Sequence, residues 1–281
     1  MQSIVDYFNQ IPSAHRMALL IGGIVVFWIM EGVIPLRALH YSKWRHAGIN
    51  LFFTLTTVVV NLGFAGMLVL VSDWSTANHS GLLNWVDMPA WLYFMVGFCL
   101  MDLIGAYLIH WLEHRVKWMW RFHLVHHSDR NIDTTTANRH HPGESVFRAV
   151  FTILAVLLIG APVWMIMFYQ FMSALLSQFN HANISLPKQL DNILSWVIVS
   201  PDMHKVHHHY TLPLTDTNFG NIFSIWDRLF GTYAPAEHLD RLVYGIDTHM
   251  DEKECDSMTG LLFMPFGDYR PPVGSKFEEH Q

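Results

Sequence analysis

The sequence predicts an all-α integral-membrane protein of about four membrane helices. Three observations carry that prediction: 52 % of the 281 residues are apolar, they collect in long runs nearly free of charge, and histidines gather where the runs end. Residues 17–36 are long enough to cross a bilayer and hold one acidic residue, Glu31, near one end. Met1 to Arg16 lacks a basic leader region, so this first run reads as a retained span. Residues 47–71 form the second span and residues 90–109 the third, which carries Asp102 and ends at His110. Arg37, Lys43 and Arg45 place the first link on the cytoplasmic side, and Arg115, Lys117 and Arg121 do the same for the end of the third span.

The fourth apolar stretch, Val146 to Phe179, is too long for one span and short for two, and histidine clusters lie on both sides of it. A single crossing would strand those clusters on opposite faces. Gly160, Ala161 and Pro162 near its middle predict a turn, hence a helical hairpin that enters and leaves on the cytoplasmic side. Beyond it, Ile193 to Val199 suits an interfacial helix, and the tail after Tyr233 reads as loop and short elements. The expected divisions are 1–89 for the N-terminal membrane hairpin, 90–235 for the histidine-rich region with its further helices, and 236–281 for the tail.

With 17 basic and 23 acidic residues and no Lys/Arg-rich block, nucleic acid is not an expected partner. The two cysteines, Cys99 and Cys255, build neither a disulfide framework nor a thiolate metal site. Histidine is the anomaly, because 12 of the 19 fall between His110 and His209. His110 and His114 (HWLEH) are four apart and share a helical face. His123, His126 and His127 (HLVHH) and His204, His207 and His208 (HKVHH) repeat one i, i+3, i+4 pattern. Imidazole suits iron, zinc, copper and nickel, and eight such rings exceed what one tetrahedral ion can use, so two metals are expected. His181 and His141 are further candidate ligands, while His140 and His209 fit solvent-facing or supporting roles. Candidate carboxylates for holding the rings are Glu113, Asp129, Glu144, Asp202 and Asp227, together with Asp102, whose place in an apolar run is costly.

The ordered set HWLEH, HLVHH, RHHPGE, QFNHAN, HKVHH, NFG and WDRLFGT, over roughly residues 90–235, resembles the fatty acid hydroxylase and sterol desaturase superfamily. That resemblance implies a membrane stem of four helices under a cytosolic histidine-rich cap with two irons. It also implies O₂-dependent lipid hydroxylation, sterol desaturation, methyl oxidation or ether cleavage. By the same likeness the eight clustered histidines and His181 are iron ligands, with zinc a possible substitute in purified protein. Some members carry a histidine four residues before the one matching His181; this chain has Ser177 there, leaving the tenth position absent or filled by His141 or water. The electron donor implied is a separate protein such as cytochrome b5 or a ferredoxin, and the membrane is the inner one if bacterial or the endoplasmic reticulum if eukaryotic. A membrane metal-binding or transport protein, a haem carrier and a zinc hydrolase stay open as alternatives. The first would put ligands along the spans, the second paired axial histidines, and the third lacks H-E-x-x-H.

Overall fold

The computed structural model describes residues 2–237 and 239–277. Among them the chain is helical throughout, with only isolated bridging pairs such as Ile198 with Phe223 and no strand. A short α1 (Gln2–Asn9) leads through Pro12 into α2 (Ser13–Val33). The next helix, α3 (Lys43–Ala77), is 35 residues long, so it rises about 52 Å and outruns the expected second span at both ends. Its first turns leave the apolar pattern: His46 and Asn50 are buried among Asp129, Thr135 and Arg139. A single turn, α4 (Leu82–Trp85), precedes α5 (Ala90–Arg115), which continues past the expected end and contains a π-helical segment, Leu103–Leu108.

After α6 (Lys117–His127) the expected hairpin is present as α7 (Pro142–Ile159) and α8 (Val163–His181). Gly160 makes the turn at φ 75°, and Gly81 abuts it so closely that a Cβ on Gly81 would lie 2.3 Å from the Gly160 nitrogen. Ser72 closes the same tip by donating to the Ala161 carbonyl. Four helical stretches, Ser13–Val33, Lys43–Trp85, Ala90–Arg115 and Pro142–Ile159, are long and apolar enough to cross a membrane. Outward-facing Leu55, Leu62 and Leu70 on α3 are the surface that lipid would cover. The bundle core is Phe98, Met101, Val156, Ile159, Met165, Ile166 and Tyr169, at the meeting of α5, α7 and α8.

The chain then forms α9 (Lys188–Leu194), α10 (Pro201–His207) and α11 (Ile225–Leu229). The interfacial helix expected over Ile193 to Val199 is displaced towards the N-terminus. Pro187 starts the helix early, and Ile198 is taken up by pairing with Phe223. The tail carries α12 (Glu252–Cys255) and α13 (Met258–Phe263), and it docks onto α6 through Ile246, Cys255, Leu261 and Met264 against Trp120, Leu124 and Val125. Buried Arg139 fastens it by donating to the Cys255 carbonyl at 2.6 Å.

Candidate metal centre

Three helix ends and one helix meet at one end of the bundle: the C-terminal turns of α5, α6 and α8, with α10 laid across them. They deliver nine buried histidines in two groups, His110, His114, His123, His127 and His207 in one and His126, His181, His204 and His208 in the other, each group's ring nitrogens within 4.8 Å of one another. Helical geometry accounts for the division. At about 100° per residue, position i+4 lies about 40° from i, whereas i+3 lies about 60° to the other side. The i, i+4 pairs His110/His114, His123/His127 and His204/His208 therefore each stay within one group. The i+3 residues His126 and His207 cross to the opposite one.

The nitrogens converge as ligand atoms do. His181 Nε2 lies 3.2 Å from His126 Nε2, 3.1 Å from His204 Nε2 and 3.3 Å from His208 Nε2, and His114 Nε2 lies 3.1 Å from His127 Nε2. One lone pair on His181 cannot serve three neighbouring nitrogens as hydrogen-bond partners. Nitrogens about 2.1 Å from one ion and subtending about 100° would stand about 3.2 Å apart, so the spacing fits a shared metal. The Nε2 atoms of His110, His123 and His207 are buried with no protein partner among the described residues. Burial, then neighbouring rings, holds His126, His127, His204, His207 and His208 well below the usual imidazole range, and burial brings His123 down to about 3. Neutral rings with free lone pairs are what a divalent transition metal requires.

In the first group the far side of nearly every ring is held. His110 Nδ1 donates to the Phe219 carbonyl at 2.8 Å, His207 Nδ1 to the Thr217 carbonyl at 2.6 Å, His114 Nδ1 to Asp216 at 3.1 Å and His123 Nδ1 to Glu144 at 2.8 Å. Glu144 also accepts from His140 Nδ1 at 2.8 Å and Arg148 Nε at 2.9 Å, while Glu113, 3.6 Å from His123 Nδ1, accepts from Arg148 at 2.5 Å. His140 stacks on His126 with centroids 4.7 Å apart. In the second group His181 Nδ1 donates to the Ser177 carbonyl at 2.8 Å, so Ser177 supports His181 through its backbone.

Five expected positions fall elsewhere, one of them Asp202, whose buried Oδ1 has no hydrogen-bond partner among the described residues. His141 belongs to neither group: its Nδ1 accepts from Gly143 N at the start of α7 and its Nε2 donates to the Leu262 carbonyl, because it serves as a helix cap. Asp102 and Asp227 touch no histidine ring. Asp102 accepts from Ile222 N, Phe223 N and Trp226 Nε1, and Asp227 from Phe219 N, Gly220 N and Thr232 Oγ1; both fix the loop whose Phe219 carbonyl receives His110. Asp129 is engaged by His46 instead. Sequence reasoning missed Asp216, one acidic residue in a polar loop, and Arg148. The latter left a signal, a lone cation four residues after Glu144 in an apolar helix.

Residues 94–232 match the family model described as fatty acid hydroxylase. The chain is 29 % identical over 176 residues to ornithine lipid hydroxylase OlsE of Rhizobium tropici, covering 62 % of this chain and 51 % of that one. It is 28 % identical over 251 residues to alkylglycerol monooxygenase of Danio rerio (80 % and 54 %) and 25 % identical over 146 residues to cholesterol 25-hydroxylase of Rattus norvegicus (52 % and 48 %). The chain thus spans about half the length of these relatives. No solved structure matches it. The matched segment holds most of α5, both histidine triplets, the hairpin and the Phe219 loop, and by that match residues 94–232 are a fatty acid hydroxylase domain.

Proposed function

We propose that this chain is an O₂-dependent di-iron oxidoreductase that hydroxylates or desaturates a membrane lipid of fatty acyl, sterol or alkyl-glycerol type, with residues 90–235 as its catalytic region. The observation that carries the reading is the pair of histidine groups at one end of an apolar bundle. His110, His114, His123, His127 and His207 would hold one iron and His126, His181, His204 and His208 the other. When bound, the irons supply reduction of O₂ and oxidation of an unactivated C–H bond, chemistry no side chain here offers. The protein's part is to keep nine rings neutral, fix their orientation through Glu144, Asp216 and the carbonyls of Thr217, Phe219 and Ser177, and limit water by burying them. Basic residues around the link after α2 and the end of α5 favour the cytoplasmic face, where a separate donor such as cytochrome b5 or a ferredoxin would deliver electrons.

The test is metal content by mass spectrometry on detergent-purified protein from iron-supplemented cells, beside His123→Ala/His126→Ala/His127→Ala, which takes rings from both groups. About two metals per wild-type chain, near none in the variant, and O₂ uptake coupled to a hydroxylated or unsaturated product in a lipid screen are expected. Folded wild-type protein that cannot be loaded with ferrous ion overturns the reading. Two bound metals without O₂ uptake on any lipid would favour a metal-binding or transport protein.

A further inference from the structure

Outside the four apolar stretches, the described residues expose a further concentrated apolar surface. Ile193 (68 % exposed), Trp196 (66 %) and Val197 (60 %) follow one another at the end of α9, and Ile225 (50 %), Leu229 (67 %) and Phe230 (53 %) lie on and just after α11. The two segments are joined side by side. Ile198 pairs with Phe223, Ser224 N donates to the Val197 carbonyl at 3.2 Å, and the Arg228 guanidinium donates to the Ser195 carbonyl at 2.9 Å. Exposed apolar surface of this extent is unusual against water.

Its depth follows from what it touches. Asp102 accepts from Ile222 N, Phe223 N and Trp226 Nε1, and the Phe223 ring packs on Phe98 at 5.6 Å. Along α5, Asp102 lies about 18 Å from Ala90 and about 12 Å before His110, well inside a hydrocarbon layer about 30 Å thick. A segment registered on Asp102 shares that depth. Backbone that is not part of a spanning helix is tolerated there only if its polar groups are satisfied within the protein. The Asp102 carboxylate satisfies two of its amides, and Val199 N donates to the Ile222 carbonyl.

We infer that the Ile193–Val197 and Ile225–Phe230 segments form a re-entrant lip whose exposed face is buried in the acyl chains of the leaflet nearest the histidine groups. Arg228, held over Trp196 at 4.2 Å and Tyr233 at 3.8 Å, marks the rim where aromatic rings and a cation meet the headgroups. The lip adjoins the metal centre: Phe230 stacks on Tyr107, Tyr107 meets the edge of Phe219, and Phe219 packs on His110. The inference rests on the helical bundle that contains α3 and α5 spanning the membrane, and the experiment separates the two.

Nitroxide labels are placed one at a time at Val197→Cys, Leu229→Cys, Leu62→Cys on lipid-facing α3 and Lys253→Cys on the polar tail. The background carries Cys99→Ala and leaves Cys255 buried; the unsubstituted background is the labelling blank. In phospholipid nanodiscs the ratio of collision with O₂ to collision with a polar nickel chelate is read by electron paramagnetic resonance. Val197 and Leu229 are expected to show a ratio several-fold above Lys253 and comparable with Leu62. A Lys253-like ratio at both lip sites with a lipid-like Leu62 overturns the lip alone, whereas a Lys253-like ratio at Leu62 as well overturns the membrane reading beneath it.

Discussion

The two histidine groups are built from similar rings but supported in opposite ways. Around the five-histidine group, four Nδ1 atoms donate to protein acceptors, two of them carboxylates, Asp216 and Glu144. In the four-histidine group only His181 is so held; the Nδ1 atoms of His126, His204 and His208 have no partner among the described residues. The charged group beside it is a cation. Lys205, fully buried, donates at 2.6 to 3.0 Å to the carbonyls of Asn180, His181 and Ala182. A carboxylate behind an imidazole raises its basicity and retains metal, whereas a lysine on the helix end can only fix position. The five-histidine group is thus an electrostatically supported site, and the other depends on geometry imposed from α8 and α10.

The comparison breaks most visibly at Glu144. Glu144→Ala leaves the partly exposed Arg148 with Glu113 alone of its two carboxylates and strips His123 and His140 of their acceptor, so a loss on the order of 3 kcal/mol is expected. Thermal unfolding in detergent measures it, and metal analysis should show loss from the five-histidine group first. An unchanged midpoint and two retained metals would remove Glu144 from the support of this site. The complementary change, Lys205→Met, leaves three carbonyls without their donor, at about 1 kcal/mol each. It should release the metal proposed for His126, His181, His204 and His208 while sparing the other, lowering the count from about two to about one. Chelator titration of the wild type should show the same order, with one metal leaving well before its neighbour; simultaneous release would mean that the unequal supports do not matter.

Acidification acts on both groups together. In the folded chain burial keeps His126, His127, His204, His207 and His208 neutral well below their usual range, and His123 down to about 3. Unfolded, the same rings titrate near 6.5. Below that pH the unfolded state takes up protons that the folded state refuses. Stability of the metal-free protein therefore falls with falling pH from about 6.5 towards the folded values, by about 1.4 kcal/mol per pH unit for each such ring. Unfolding midpoints of chelated protein at pH 7.5 and 5.5 test this, and a midpoint that holds or rises on acidification contradicts it.

Much of this was legible in the sequence because helical period and apolar run length are local properties. The spans, the Gly160–Pro162 hairpin and the pairing of His110 with His114 follow from spacing alone. The partition of the triplets is also implicit in the i, i+3, i+4 pattern, but it becomes visible only once α6 and α10 face each other. What was not legible depends on long-range folding. Asp216 is 102 positions from His114, and Asp102 is 120 positions from the Ile222 amide it receives. No local pattern marks either as a partner. Asp102 stands out in the sequence for its cost within an apolar run, yet its task is the satisfaction of backbone amides rather than the support of a ring.

His141 sharpens the distinction between ligand and cap at the smallest expected effect. It sits in a dense histidine run, next to His140, which does contact the centre through Glu144 and the face of His126. Its own ring is turned to Gly143 N and the Leu262 carbonyl, linking the first turn of α7 to the tail. His141→Ala should therefore cost about 1 kcal/mol, the usual loss of an N-terminal cap, and leave about two metals bound. Metal analysis and thermal unfolding on the same preparation decide between the roles. Loss of a metal without a matching loss of stability would return His141 to the ligand set and require its ring to swing away from α7 when metal binds, whereas the small loss of stability alone is what a cap produces.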